Sequence, residues 1–358
     1  MKSNRRALRS RASGKGTAIA TVAAAALAAT AVWVAQRARR AEHEHPPRGA
    51  FLKVDGVRLH YLDRGQGIPV ILLHGNAVRL EDFVVSGIID RLAERYRVIA
   101  FDRPGYGHSE RPRDRLWTPQ AQAALLLKTF GQLRISQPIV VGHSLGAQVA
   151  LALALEERAA VRQLILVSGY YFPTLRLDAA LVAPVALPVL GDAMRYTVSA
   201  IEARMLLNSM IKAMFHPQPV PAEYVDTLSR EMLVRPSQIR ADSEDGVFMI
   251  PAAASLRKRN GELRVPTTIL AGADDKVIDP DAHSRKLHGE LTGSSLRIFP
   301  GVGHMAHHAA VDELIAAVDQ AANAGTGDTA PQLPAAARAA DGNAEEAKRT
   351  ASYAPLQT

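Results

Sequence analysis

Residues 140–146 read Val-Val-Gly-His-Ser-Leu-Gly, and an alanine- and leucine-rich stretch, Leu145–Arg158, follows directly. A short apolar run that ends in G-x-S-x-G and passes into a helical stretch is a strand, a sharp turn and a helix, with Ser144 at the apex. Glycines at 142 and 146 remove side chains that would collide in such a turn. The serine oxygen then projects above a sheet at a helix N-terminus, where partial positive charge favours an oxyanion. The pattern alone turns up by chance in about one chain of this length in ten, so its weight rests on the strand-to-helix setting.

A serine hydroxyl is a poor nucleophile until a base takes its proton, and the base must be oriented by an acid. In this setting both follow later strands, in the order serine, acid, histidine. The run Thr267–Ala271 leads into Gly272-Ala273-Asp274-Asp275-Lys276, and Ser295–Phe299 leads into Pro300-Gly301-Val302-Gly303-His304. His304 is the expected base, because His307 and His308 fall on the helical stretch beyond the loop. Asp275 is the expected acid in preference to Asp274. A zinc reading of His304, His307 and His308 lacks a carboxylate partner at suitable spacing. The strand–loop Leu72-Leu73-His74-Gly75-Asn76 offers a second oxyanion donor, so the backbone N–H groups of Asn76 and Leu145 are expected to point at one oxygen. Asp102, in Phe101-Asp102-Arg103-Pro104-Gly105-Tyr106-Gly107-His108-Ser109, reads as architectural rather than catalytic.

Around this core the chain has a regular rhythm. Phe51–Val54 and Val57–Leu62 flank an Asp55-Gly56 turn, the signature of a hairpin. Short apolar runs then recur, each followed by a loop and a helical stretch: Pro69–Leu73, Arg97–Phe101, Pro138–Val141, Gln163–Val167, Thr267–Ala271 and Ser295–Phe299. Runs apolar on both faces are buried parallel strands covered by helices, which makes this an α/β domain with a mostly parallel sheet. Between about 170 and 254 no such run occurs, while prolines punctuate helical pieces. That interval is too long for a plain loop and reads as a helical lid insertion whose apolar stretch Leu181–Leu190 packs on the domain beneath.

The chain has 358 residues and no cysteine, which excludes disulfides, thiolate metal sites and a cysteine nucleophile. Its net charge of +8 belongs to the N-terminus: residues 1–40 carry nine basic and no acidic residues, leaving 34 basic against 35 acidic elsewhere. A nucleic-acid-binding body would be basic over its folded part, so that class is excluded. After the basic segment 1–16, residues 17–36 hold no charge, and a helix of that length reaches about 30 Å, the thickness of a bilayer's hydrocarbon core. The first reading is a single-pass anchor with the N-terminus in the cytoplasm and the body outside it. The competing readings are a signal peptide cleaved at Ala29-Thr30-Ala31, giving a secreted or periplasmic protein, and an alanine-rich soluble helix. Residues 37–49 read as a solvated linker, since Pro46-Pro47 follow Glu42-His43-Glu44-His45 and nothing fixes those side chains as metal ligands. Residues 323–358 read as a disordered tail, which leaves a folded body over 50–322.

The motifs HGN, FDRPGYGHS, GHSLGA, AGADDKV and GVGH, in this order and spacing, resemble the α/β-hydrolase superfamily. The resemblance is nearest to its capped serine hydrolases, which include esterases, carbon–carbon bond hydrolases and cofactor-free haloperoxidases. It covers about residues 51–320 and leaves out the anchor, the tail and most of the lid. It implies the α/β-hydrolase fold, a nucleophile at Ser144, an acid at Asp275, a base at His304 and oxyanion amides at Asn76 and Leu145. It implies no metal or organic cofactor, and a small-molecule substrate. A haloalkane dehalogenase or epoxide hydrolase of the superfamily would carry Asp where Ser144 stands. The expected activity is hydrolysis of an ester or related carbonyl bond. The alternatives are acyl transfer or perhydrolysis by the same three residues, and a catalytically silent protein that binds an apolar ligand.

Overall fold

The computed structural model describes residues 2–324 of the chain. From 325 on, the expected tail lies outside the described residues. Eight strands form one sheet: β1 Ala50–Val54, β2 Val57–Arg64, β3 Pro69–Leu73, β4 Arg97–Phe101, β5 Ile139–His143, β6 Gln163–Val167, β7 Thr267–Gly272 and β8 Ser294–Phe299. Their order is β1-β2-β4-β3-β5-β6-β7-β8. Strand β2 runs antiparallel to both β1 and β4, and every other pairing is parallel.

The apolar runs exist because both faces of the sheet are covered. In β3, Val70 and Leu72 join a core with Phe83, Leu92, Leu314 and Val318 from helices on one side. Ile71 and Leu73 join another with Leu126, Phe130 and Ala150 on the opposite side. Alternate residues of one strand thus serve two layers, and fully burying each such side chain stabilises the fold by about 1.5–3 kcal/mol. The helix Leu145–Glu156 behind β5 is buried at every position from Leu145 to Leu155, which explains its lack of a polar face.

Between β6 and β7 the chain forms a cap of helices, among them Leu177–Ala186, Leu190–Arg195, Val198–Phe215 and Pro236–Arg257. The last of these begins beside the loops after β3 and β4, where Asp242 accepts from the Ala77 N–H, and farther along it the Met249 carbonyl accepts a hydrogen bond from Gln148 at 3.0 Å.

Helix α1 spans Lys2–Glu44 without interruption, so residues 37–44 are its last turns and not a linker. The physical reason lies in contacts made by those turns. Val34 and Ala41 are buried on one stripe of the helix, and Val34 packs with Val185, Ala200 and Ile239 of the cap. Arg37 pairs with Glu231 at 3.0 Å, Glu42 with Arg235 at 2.6 Å, and Arg40 with Glu44 one turn on at 2.7 Å. Glu42 and Glu44 therefore end a docked helix that stops just ahead of Pro46, where the residue before proline is pushed out of helical geometry.

Candidate active site

Ser144 follows the last residue of β5 with φ 53° and ψ −117°, a strained conformation for a residue with a side chain. The turn closes only because its neighbours are glycines. A Cβ on Gly142 would lie 2.6 Å from the Gly146 carbonyl oxygen, and one on Gly146 would lie 2.1 Å from the Leu73 carbonyl oxygen. The Ser144 N–H donates to Val167 of β6 at 2.9 Å, which ties the apex to the sheet.

Loops after β7 and β8 bring the other two residues to the serine. His304 Nε2 lies 3.0 Å from Ser144 Oγ, and His304 Nδ1 lies 2.8 Å from Asp275 Oδ2. Asp275 Oδ1 accepts the N–H groups of Val277 and Ile278, each at 2.8 Å, so the carboxylate is held from both sides. All three side chains are buried. Asp274 points elsewhere: its Oδ2 accepts the Gly301 N–H at 2.9 Å and braces the β8 loop. Of the two aspartates, Asp275 is the one in hydrogen-bond contact with His304.

The loop after β3 passes directly over the serine, since a Cβ on Gly75 would stand 3.0 Å from Ser144 Cβ. Asn76 follows Gly75 in this loop, and Leu145 is the first residue of the helix behind β5. The loop is fixed by Arg103, which donates to the His74 and Gly75 carbonyls at 2.9 Å each. Arg103 is in turn paired with Asp245 of the cap at 2.6 Å, and both are buried. Asn76 itself is gripped by the Tyr106 hydroxyl and by its own amide bond to the Asp242 carbonyl at 3.2 Å. Asp102 is architectural, as expected: it is fully buried and accepts from Leu80 and His108 N–H groups and from the His60 ring.

Sequence reading missed two groups. The first is a buried carboxylate–imidazole cluster behind His304. Asp82 Oδ2 meets His307 Nε2 at 2.8 Å, and its Oδ1 meets His308 Nε2 at 2.9 Å and the Tyr224 hydroxyl at 3.0 Å. The carboxylate partner that the zinc reading lacked is therefore present, brought from far away in the chain. Ligand atoms of Asp82, His143 and His307 lie within 4.8 Å of one another. Both Asp82 oxygens accept hydrogen bonds and brace the two histidines, whereas His143 Nδ1 and His307 Nδ1 are buried without a hydrogen-bond partner. Burial raises the Asp82 pKa, yet His307 and His308 outweigh it and hold the carboxyl well below its usual range. Burial also keeps His143 neutral, and its Nε2–H donates to the His304 carbonyl at 3.1 Å. Asp82→Ala is expected to cost about 3–5 kcal/mol in urea unfolding, because it strands buried imidazole N–H groups. A loss under 1 kcal/mol would contradict that role.

The second missed group is Asp242 on the last cap helix, which accepts the Ala77 N–H at 2.8 Å in the loop after β3. Desolvation pushes its carboxyl up to about 7 against the pull of that N–H. The folded state then holds a proton that the unfolded chain releases near pH 4, so this group lowers stability as pH rises from about 4 to 7. Asp242→Asn keeps the acceptor and removes the titration. Its melting temperature relative to the parent is expected to rise between pH 4.5 and pH 8; a difference independent of pH would contradict the shift.

A cavity of about 350 Å³ opens elsewhere, where the end of α1 meets the cap and residues 105–111. Its arginines are engaged: Arg111 and Arg240 with Glu244, Arg195 with Asp192, and Arg235 with Glu42. Leu145, next to Ser144 in the chain, packs instead with the apolar side chains of Tyr170, Met249 and Ile278.

A mostly parallel eight-stranded sheet with a strained serine after its central strand, and a histidine and an acid after later strands, defines a class. The chain belongs to the alpha/beta hydrolase fold family, which matches residues 68–310. A 2-hydroxymuconate semialdehyde hydrolase of Pseudomonas sp. is 29% identical over 301 residues, covering 79% of this chain and 99% of that protein. Among solved structures, a thermophilic esterase from Thermogutta terrifontis aligns with a TM-score of 0.62 at 22% identity, over 76% of this chain and 97% of its own. A membrane phospholipase A, described as a bacterial virulence factor, aligns with a TM-score of 0.60 at 19% identity, over 88% of this chain and 99% of its own. These structural likenesses bear on the fold. The hydrolase relatives support a hydrolase of this superfamily.

Proposed function

We propose that the protein is a membrane-anchored serine hydrolase that cleaves an ester or related carbonyl bond of a small, hydrophobic substrate through an acyl-enzyme on Ser144. The observation that carries the reading is the chain of contacts Ser144 Oγ, His304 Nε2, His304 Nδ1 and Asp275 Oδ2, at 3.0 and 2.8 Å. His304 takes the proton as Ser144 Oγ attacks the carbonyl carbon, and later returns it to the leaving alcohol. Asp275 accepts the Nδ1–H and stabilises the imidazolium. The N–H groups of Asn76 and Leu145 receive the oxyanion, and a water molecule, deprotonated by His304, releases the acid. The apolar side chains of Leu145, Tyr170, Met249 and Ile278 favour a hydrophobic acyl or alcohol group.

The uncharged stretch of α1 supports the anchor, since a helix containing Ala18–Glu44 is long and apolar enough to cross a bilayer and is hardly covered by the rest of the protein. The excess of basic residues before it favours a body outside the cytoplasm. The test is a panel of p-nitrophenyl esters of increasing acyl length, given to the full chain in detergent. Turnover with equal release of acid and alcohol is expected, favouring acyl groups longer than acetate. Absence of turnover across the panel, with an apolar ligand retained on native extraction, would point to the binding protein instead.

A further inference from the structure

Among the described residues, every exposed large hydrophobic side chain except Leu116 lies either on α1 or in the cap between 175 and 210. In the cap these include Leu181, Leu187, Val189, Met205 and Leu206, each more than half exposed. Apolar surface gathered on one part of a protein marks a contact site, and it is costly to leave in water. The neighbour of this surface identifies the contact. Val34, within the uncharged stretch of α1, is buried against Val185 and Ala200, which sit on the same two cap helices as Leu181 and Leu206. The Arg204 guanidinium lies 5.1 Å from the centre of the Trp33 ring.

Polarity changes sharply along the α1–cap contact. Val34 packs on apolar side chains, whereas Arg37 and Glu42 one to two turns on form ion pairs, Arg37 with Glu231 and Glu42 with Arg235. At 1.5 Å per residue, the switch from apolar to ionic contact occurs over about 5 Å along the helix axis. That is the change a protein meets on passing from the hydrocarbon edge to the headgroups, and Trp33 sits at the level that indole rings favour.

We propose that the exposed apolar face of the cap, over helices Leu177–Ala186 and Val198–Phe215 and the turn between 187 and 190, is a second membrane-contact surface. It lies in the same leaflet that α1 leaves, with a lipid bilayer as its occupant. The proposal rests on the reading of α1 as an anchor. Two contacts, helix and cap, then fix the body's orientation, and apolar substrate reaches the cap from the bilayer.

The absence of cysteine makes the test direct. Single substitutions Leu181→Cys and Leu206→Cys, with Val22→Cys and Leu116→Cys as references, are made in the full chain and labelled with a nitroxide. The protein is reconstituted in phosphatidylcholine–phosphatidylglycerol vesicles, and relaxation by oxygen is compared with relaxation by a water-soluble nickel chelate. All four positions are exposed, so the label displaces no packing. Oxygen is expected to exceed nickel several-fold at 181 and 206, as at 22, and nickel to dominate at 116. Nickel dominance at 181 and 206 with Val22→Cys in lipid would overturn the proposal and leave the anchor standing. Nickel dominance at 22 as well would remove the anchor and the proposal together. Protection from both agents at 181 and 206 would mean that protein, such as a second copy, covers the face, and would equally overturn it.

Discussion

Ser144→Ala is expected to lower kcat for ester hydrolysis by about 10⁴- to 10⁶-fold, with residual activity above the uncatalysed rate. Alanine cannot form the acyl bond, while the oxyanion donors and apolar surroundings remain to bind and polarise the substrate. Folding is expected to survive. Alanine keeps the Cβ, so the strained φ of 53° is no worse than in the parent, and no hydrogen bond but the one to His304 is lost. Unfolding by urea at an unchanged midpoint, alongside kinetics, separates the two effects. Retention of more than a tenth of the activity would mean that the serine is not the nucleophile.

Asp275→Asn is expected to lower kcat/KM by about 10⁴-fold, whereas Asp274→Asn should stay within about threefold of the parent. The asymmetry comes from the histidine tautomer. The Asp275 carboxylate accepts from His304 Nδ1 and leaves Nε2 free to take the Ser144 proton. An asparagine at 275 can keep one oxygen on the Val277 and Ile278 N–H groups, but its NH₂ then faces Nδ1 as a donor. The ring must carry its proton on Nε2, and the base is disabled with the loop intact. Asp274 only supports Gly301, and its amide can still accept that bond. Equal losses in the two variants would show that the loop, not the carboxylate on His304, carries the effect.

The sheet was legible because its strands are buried on both sides. Runs such as Gln163–Val167 and Pro69–Leu73 are apolar at every residue after the first, and the expected and observed strand limits coincide there. The meeting of Ser144, Asp275 and His304 was legible because each follows the end of a strand, in a turn whose chemistry is local. What escaped was long-range. Nothing near Asp82 announces that His307 and His308 will close on it, because the partners meet only when the short helices Glu81–Val85 and Ala306–Ala309 pack together. Asp242 and Asp245 lie on a cap helix with no motif, yet they hold the loop after β3 through Ala77 and Arg103. The linker expected over 37–49 failed for the same reason: Pro46-Pro47 is local information, whereas the partners of Arg37 and Glu42 are Glu231 and Arg235 on the cap.

The most direct test of the central claim is covalent labelling. Purified full chain and its Ser144→Ala variant are treated with a fluorophosphonate, and intact mass and labelled peptide are read for each. One adduct per chain, located on Ser144 and absent from the variant, is the result expected of a serine activated by His304. A folded parent that takes no label, or a variant labelled as readily as the parent, would contradict it.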